Sequence, residues 1–191
     1  MIRSRFQREI ELAAIPLNLN PDLVEALVLQ ESGDDPWAWN PEPTYRYLWD
    51  NQRGAPFRRL SLAEASLKTT PPDFYDMRGN HGAWADHEWA GQQASWGLLQ
   101  IMGAVARERG FTEQYLTSLC DPRVNLDLGC HHLRGLLNWA QGETWQAVAA
   151  YNGGRGGWRN STPQEYAAQV HALFDLVRED NLATASARRD S

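Results

Sequence analysis

Long hydrophobic segments are missing from this sequence of 191 residues. Its longest apolar stretches, such as ALVL and GLLQIMGAV, fall far short of the ~20 residues that a membrane-spanning helix needs, so we expect no membrane insertion. The N-terminal segment meets Glu9 and Glu11 before any apolar run, which does not resemble a secretory signal peptide. These absences predict a chain that is made in the cytoplasm without a signal peptide.

Cysteine and positive charge are also scarce. The two cysteines, Cys120 and Cys130, form neither a disulfide framework nor a metal site by themselves, and free thiols are expected unless the folded protein reaches an oxidising compartment. A net charge of -6 without a long run of Lys and Arg predicts no binding to nucleic acid. The adjacent His131 and His132 would point about 100° apart on a helix, so we predict no metal site, and the sequence indicates no cofactor.

Tryptophan, in contrast, is abundant, with nine residues in the chain. Exposed indole rings suit a ligand with flat apolar faces and polar edges, such as a sugar ring, and they equally suit a hydrophobic partner. Core packing is the alternative for any single one of them.

Helix signals are clear in both flanks of the chain. Asn20 and Pro21 are typical of a helix start, and Gly33 ends the same helix. Further helices are predicted over residues 95–110 and from residues 121, 144 and 162. Between about residues 42 and 94, prolines and glycines leave only a short strand in TYRYLWD and a short helix in SLAEASLK. We therefore predict a mainly α single domain over residues 1–182 with an irregular or β-containing insertion at about 42–94, and a disordered tail at 183–191.

The segment LVLQESGDDPWAWNP, residues 27–41, places Glu31 at the end of an apolar helix. Leu27 and Val28 precede it on the same helix face, so its carboxyl should be partly desolvated. It also lies in the last helical turn, where the helix dipole disfavours an anion. Both effects raise the pKa of Glu31, as a general acid near neutral pH requires. The alternative is a glutamate that only extends into solvent at a helix end.

Three further motifs follow LQESG along the chain: SWGLLQIM, DPRVNLDLGCHHLRGLL and AAYNGG. Together, over roughly residues 20–160, they resemble the signature of the soluble lytic transglycosylase and goose-type lysozyme superfamily. The resemblance implies a lysozyme-like helical fold with a sugar-binding cleft, part of which the insertion would form. It also implies cleavage of the β-1,4 bond between N-acetylmuramic acid and N-acetylglucosamine in peptidoglycan.

The resemblance assigns a role to each motif residue. Glu31 would be the acid/base, and Tyr151 would form a hydrogen bond to its carboxyl and orient it. The implied substrate-binding residues are Ser32, Gln100, Met102 and Asn152, although the side chain of Ser32 could instead serve the helix end. Trp96 departs from the family, whose residue at this position is usually small or polar, and it is a further candidate for substrate binding. One carboxylate suffices for a lytic transglycosylase, because the acetamido group and the C6 hydroxyl of the muramoyl ring take the other roles and release a 1,6-anhydro sugar.

The gap between Glu31 and Gln100 is wider than in the plainest family members, and it leaves alternatives open. Asp86 or Glu88 in the insertion could supply a second carboxylate, which would make the protein a hydrolytic lysozyme or a chitinase-like glycosidase. Both could equally lie on the solvated face of a short helix. A catalytically silent sugar-binding or virion-structural protein is the third alternative, and an intact Glu31 with Tyr151 argues against it.

The lack of an evident signal peptide or wall-binding module resembles a phage or prophage endolysin that a holin releases, or a virion-associated lysin. We therefore expect a monomer that acts on the glycan strands of peptidoglycan in the periplasmic cell wall.

Overall fold

A computed structural model describes residues 2–67 and 69–187 of the chain. Its α-helices are α1 (Gln7–Ala14), α2 (Pro21–Ser32), α3 (Leu62–Ala65), α4 (Ala83–Gln92), α5 (Gly103–Glu108), α6 (Pro122–Trp139), α7 (Thr144–Gly157) and α8 (Ser161–Ala187). Its strands are β1 (Trp39–Pro41), β2 (Trp49–Asp50), β3 (Ala55–Pro56), β4 (Ala94–Trp96) and β5 (Ile101–Met102). Short 3₁₀ helices cover Ile15–Leu17 and Leu116–Cys120. The prediction of a mainly α fold with a small β-containing part is confirmed.

The chain divides into two compact units. Unit 1 consists of Met1–Asp34 and Gly129–Ser191, and unit 2 consists of Asp35–Leu128, so the division falls within α6. The predicted insertion at 42–94 lies entirely inside unit 2. A single catalytic domain over residues 1–182 stays a prediction. Across the described stretches, no helix is both long enough and apolar enough to cross a membrane.

Unit 1 is built around α2, which packs against α8 and α1, while α7 packs against α8. The start of α2 is as predicted: the side chain of Asn20 accepts a hydrogen bond from the backbone nitrogen of Asp22 (2.9 Å), and Pro21 is the first helical residue. Gly33 ends the helix in the left-handed conformation, at φ 59°. The residues from Leu23 to Val28 are all buried, so nearly every face of the helix is covered.

Unit 2 contains two small antiparallel sheets and its own core. The first sheet has the strand order β1-β4-β5, with Trp39 opposite Trp96 and Ser95 opposite Met102, and the second pairs β2 with β3. The buried residues of its core are Leu48, Phe57, Leu60, Ala65, Phe74, Trp89 and Ala104. Because Phe74 contacts both Phe57 and Trp89 edge-on, the insertion is a packed structure rather than a loose loop.

Two predictions of local structure are wrong. Residues 95–110 are not one helix, because β4, a tight turn and β5 precede α5. The strand expected in TYRYLWD is limited to Trp49–Asp50, since only these two residues pair with β3. The disordered tail at 183–191 stays a prediction: α8 is described as far as Ala187, and residues 188–191 lie outside the described residues.

Candidate active site

Glu31 lies in the last turn of α2 in unit 1, as predicted, and its side chain is half-buried. Burial raises the pKa of its carboxyl from 4.5 to about 7, against the opposing effect of a hydrogen bond from Tyr166. A carboxyl with this pKa exchanges its proton readily near neutral pH, which suits a group that must act as an acid in one step and as a base in the next.

The hydroxyl of Tyr166 donates a hydrogen bond to Oε1 of Glu31. Tyr166 is buried on α8, and the packing of α8 against α2 brings the two side chains together across 135 residues of sequence. Burial, followed by the charge of Glu31, raises the pKa of Tyr166 well above its usual range. The phenol therefore remains protonated and a hydrogen-bond donor around neutral pH, and it holds one carboxyl oxygen in place.

Sequence reasoning missed Tyr166 because its position resembles ordinary core. Together with Ala167, Val170 and Val177 it forms the buried stripe of α8, which a helical pattern assigns to packing. One feature of the sequence could have indicated its role: a tyrosine on a buried helix face needs a hydrogen-bond partner for its hydroxyl. The other end of that hydrogen bond could not be located from spacing alone.

Tyr151 also lies in the electrostatic field of Glu31. Burial, then the charge of Glu31, then that of Cys130, raise the pKa of Tyr151 well above its usual range. Its ring meets the imidazole of His132 edge-on, with centroids 5.3 Å apart. Unit 1 thus places the phenol of Tyr151 where the charge of Glu31 acts on it, while the orienting role that the resemblance gave to Tyr151 stays a prediction.

The glycines that follow Tyr151 shape the connection from α7 to α8. A Cβ atom at Gly153 would overlap Cγ of Pro163, and Gly154 takes a non-helical conformation at φ 68° and ψ 168° that interrupts α7. The chain can therefore turn tightly and enter α8 shortly before Tyr166. In this way the Tyr-Asn-Gly-Gly motif also positions the second tyrosine.

The remaining motif residues of unit 1 differ in their surroundings. The hydroxyl of Ser32 donates to the backbone oxygen of Val28 (3.1 Å), so this side chain serves the helix end. Asn152 is exposed on α7 and its side chain faces solvent. Asn152 is thus available to a ligand, whereas the hydroxyl proton of Ser32 is engaged.

Gln100 and Met102 both lie in unit 2, Gln100 in the turn between β4 and β5 and Met102 in β5. The amide of Gln100 donates to the backbone oxygens of Gly97 (2.9 Å) and Ala38 (3.2 Å), and it accepts from the hydroxyl of Ser95 (2.9 Å). Gln100 itself has φ 44°, a left-handed conformation that costs energy outside glycine. Three hydrogen bonds thus hold this half-buried side chain in one orientation.

Asn125 supports the same turn from α6 within unit 2. It is fully buried, its side-chain amide donates to the backbone oxygens of Trp96 (2.7 Å) and Leu119 (2.9 Å), and its side-chain oxygen accepts from the backbone nitrogen of Leu99 (2.8 Å). Gly97 has φ 67°, and a Cβ atom there would lie 2.5 Å from Nδ2 of Asn125. The glycine is required because the turn wraps closely around this amide.

Trp96 on β4 is half-buried, and its indole nitrogen donates to the backbone oxygen of Gly91 (2.9 Å). Its ring lies 6.1 Å from that of Trp39, tilted by 50°. The hydrogen bond fixes the ring, so Trp96 presents a preorganised aromatic face.

The two carboxylates of the rival mechanism have different surroundings. Glu88 is only 4% exposed, and both of its oxygens accept from the guanidinium of Arg107 at 2.8 Å, while Gln92 and Asn51 also donate to it. Asp86 is exposed and accepts from the hydroxyl of Thr70 at 2.5 Å. Glu88 is therefore committed to a buried ion pair, and Asp86 lies on the solvated face of α4.

Metal-ligating groups do not form a site in the described part of the chain, where no three His, Cys, Asp or Glu side chains converge. Cys120 and Cys130 are both buried thiols.

Comparison with known proteins gives one finding. The family model described as "Transglycosylase SLT domain" matches residues 10–174, which includes Glu31, Gln100, Tyr151 and Tyr166. A search of curated proteins and a search of solved structures each found no match. Because the family match spans most of the chain, the protein belongs to the transglycosylase SLT domain family of the lysozyme-like superfamily and is a lytic transglycosylase, an enzyme that cleaves peptidoglycan.

Proposed function

We propose that the protein cleaves the β-1,4 bond between N-acetylmuramic acid and N-acetylglucosamine and releases a 1,6-anhydromuramoyl product, with Glu31 as its single acid/base. The observation that carries this proposal is the surroundings of Glu31: a half-buried carboxyl with a pKa of about 7 and a hydrogen bond from Tyr166 to one of its oxygens. Its second oxygen is then the one that meets substrate.

In the first step, protonated Glu31 donates its proton to the glycosidic oxygen. The bond between that oxygen and C1 of the muramoyl ring breaks, the bonding electrons leave with the oxygen, and the acetamido oxygen of the ring stabilises the positive charge at C1. In the second step, the Glu31 carboxylate takes the proton of the C6 hydroxyl while the C6 oxygen bonds to C1. The enzyme recovers its proton, no water is consumed, and no second carboxylate is needed.

Tyr166 supports both steps as a positioning residue. Its hydrogen bond stabilises the carboxylate formed in the first step, which is why it lowers the pKa of Glu31 against the effect of burial. Tyr151 provides a second phenol close enough to sense the same charge. Gln100, Met102, Asn152 and Trp96 are proposed to bind the sugar.

The alternatives find less support. A hydrolase of the common kind needs a second carboxylate that can attack or activate water, whereas both oxygens of Glu88 are engaged by Arg107. Asp86 is exposed and hydrogen-bonded to Thr70. A silent sugar-binding or structural protein has no use for a carboxyl that burial destabilises in its ionised form.

Mass spectrometry of the products from purified peptidoglycan tests the proposal. Incubation in H₂¹⁸O should give anhydro-muropeptides without ¹⁸O, because no water enters the product. Reducing ends that carry ¹⁸O would contradict the single-glutamate mechanism and support the hydrolase.

The variant Glu31→Gln tests the role of Glu31, because it removes the proton that the carboxyl would transfer and keeps an oxygen that can accept from Tyr166. General acid catalysis is worth roughly 100-fold or more, so we expect at least that loss of product formation. Glu165→Gln, at an exposed position beside Tyr166, is the control for removal of a carboxylate and should keep its activity. Unchanged lysis by a folded Glu31→Gln variant would exclude this mechanism.

The place of action follows from the substrate, because peptidoglycan lies outside the cytoplasmic membrane. Delivery by a holin or a virion stays a prediction, and expression in a bacterium with and without a holin tests it: lysis should require the holin. The proposed monomeric state is tested by analytical ultracentrifugation.

A further inference from the structure

Unit 2 contains a pocket of about 290 Å³ that none of the proposed catalytic steps uses. We call it the aromatic pocket, and its four aromatic walls are Trp39, Trp84, Trp96 and Tyr115. Trp84 comes from the 42–94 insertion, and Tyr115 lies just before a 3₁₀ helix. The volume is at the lower end of small-molecule sites, about 300 Å³, which matches a single sugar ring better than a disaccharide.

The aromatic walls are not core residues. Trp39 is 54% exposed, Trp84 is 46% exposed and Tyr115 is 43% exposed, although all three belong to one pocket. The rings of Trp84 and Tyr115 lie 5.8 Å apart and are tilted by 36°. A contiguous apolar surface of this kind is costly in water unless it binds a ligand.

The pocket is also preorganised. Trp96 is fixed by its hydrogen bond to the Gly91 oxygen, and a Cβ atom at Gly91 would lie 2.7 Å from Cδ1 of Leu116, so α4 and the 3₁₀ helix meet closely at the floor. The side-chain amide of Gln114 donates to the hydroxyl of Tyr115 (2.9 Å) and steadies the second wall. Little conformational entropy is therefore lost when a ligand enters.

The charges of the lining residues indicate which kind of ligand fits. Glu88 is neutralised by Arg107, whereas Asp76 keeps a negative charge that accepts from the backbone nitrogens of Arg78 (2.8 Å) and Asn80 (2.7 Å). An anionic ligand would meet this charge without a cationic partner among the lining residues. A neutral ring with an apolar face suits the aromatic walls, and the polar rim of His87, Gln114 and Thr117 suits its hydroxyl and acetamido groups.

We propose that the aromatic pocket binds a neutral N-acetylglucosamine ring of a glycan strand, as an accessory carbohydrate subsite to which the insertion contributes. This inference rests on the proposed function, because the ligand is taken to be a glycan strand of peptidoglycan. N-acetylmuramic acid and its stem peptide carry carboxylates, so the charge of Asp76 favours the other sugar of the repeat.

Binding of chitotetraose, the neutral N-acetylglucosamine tetramer, tests the subsite. Isothermal titration calorimetry is performed with the full chain in the Glu31→Gln background, which removes turnover. Trp84→Ala and Tyr115→Ala should each raise the Kd about tenfold, the factor that corresponds to about 1.4 kcal/mol. Tyr47→Ala is the matched control, because Tyr47 is an exposed tyrosine of the same unit outside the pocket, and its Kd should stay within about twofold of the parent.

Two results would overturn the proposal. No measurable binding of the tetramer to the parent, or an unchanged Kd in both pocket variants, would exclude the subsite. Preferential binding of a free stem peptide that depends on Trp84 would assign the pocket to peptide instead. Thermal unfolding of each variant verifies that a lost affinity is not a lost fold.

Product analysis with protein that retains Glu31 shows separately whether the proposed catalytic function fails. Anhydro products from Trp84→Ala at a raised KM would keep the mechanism and support the subsite. Hydrolytic products from the unsubstituted protein would refute the mechanism, whatever chitotetraose does.

Discussion

Replacing Glu31 by glutamine is expected to stabilise the protein much more at pH 8 than at pH 5. The pKa of Glu31 is about 7 in the folded protein and 4.5 in the unfolded reference, so the folded state holds this proton more tightly. Below pH 4.5 the carboxyl is protonated in both states and costs nothing. As the pH rises from 4.5 to 7, the unfolded chain ionises first, and the free energy of unfolding falls.

The size of the effect follows from the two pKa values. Each pKa unit corresponds to 1.36 kcal/mol, so the full penalty above neutral pH is about 3 kcal/mol. Between pH 5 and pH 8 the penalty grows by about 2.5 kcal/mol. Glutamine cannot ionise and still offers an oxygen to Tyr166, so the variant should escape the penalty while keeping the contact.

Urea unfolding of both proteins at pH 5 and pH 8 measures this difference. The stability gained on substitution should be about 2.5 kcal/mol larger at pH 8, in the approximation that other groups titrate equally in both proteins. Glu165→Gln, with its exposed side chain, is the control for removal of one carboxylate. A gain at pH 8 that is no larger than the gain at pH 5 would refute the conclusion that burial raises the pKa of Glu31.

Three further predictions concern neighbouring features. Tyr166→Phe removes the hydrogen bond that lowers the pKa of Glu31, so the alkaline limb of the pH–rate profile should move to higher pH and the rate at pH 7 should fall about tenfold; an unmoved limb would contradict the role of the phenol. Gly97→Ala combines a positive φ with a steric overlap and should lower stability by at least about 2 kcal/mol in chemical denaturation, whereas a neutral effect would contradict the close turn. Arg107→Met leaves Glu88 buried without its cation and should lower the free energy of unfolding by about 3–5 kcal/mol. The double variant Glu88→Gln/Arg107→Met should recover most of that stability and still form anhydro products. Loss of product formation by the folded double variant would revive the second-carboxylate mechanism.

The parts of the site that sequence reasoning predicted depend on local chemistry. Asn20, Pro21 and Gly33 are start and stop signals that act within a few residues, so the bounds of α2 and the place of Glu31 at its end could be predicted. The raised pKa followed from the same local facts, because an apolar helix face and a helix C-terminus both disfavour an anion.

The parts of the site that sequence reasoning missed depend on residues that are distant in the sequence. The apolar pattern of residues 95–110 is compatible with a helix, and the turn forms instead because the side chain of Asn125 makes two hydrogen bonds to its backbone, at Trp96 and Leu99. Arg107 is likewise 19 residues from Glu88, so nothing in the spacing could show that this carboxylate is neutralised. A second catalytic carboxylate therefore remained open at the level of sequence.

Tyr166 and burial act on Glu31 in opposite directions, and the proposed reaction needs both. Burial alone would hold the proton so tightly that the carboxyl would rarely release it to the glycosidic oxygen. The hydrogen bond alone would keep the carboxylate ionised, with no proton for the leaving oxygen. Their balance sets a pKa of about 7, at which one carboxyl can donate a proton and take another back within a single turnover. In the proposed reaction the packing of α8 on α2 therefore takes part in the chemistry, because it places Tyr166 against Glu31 and so limits how far the pKa of Glu31 rises.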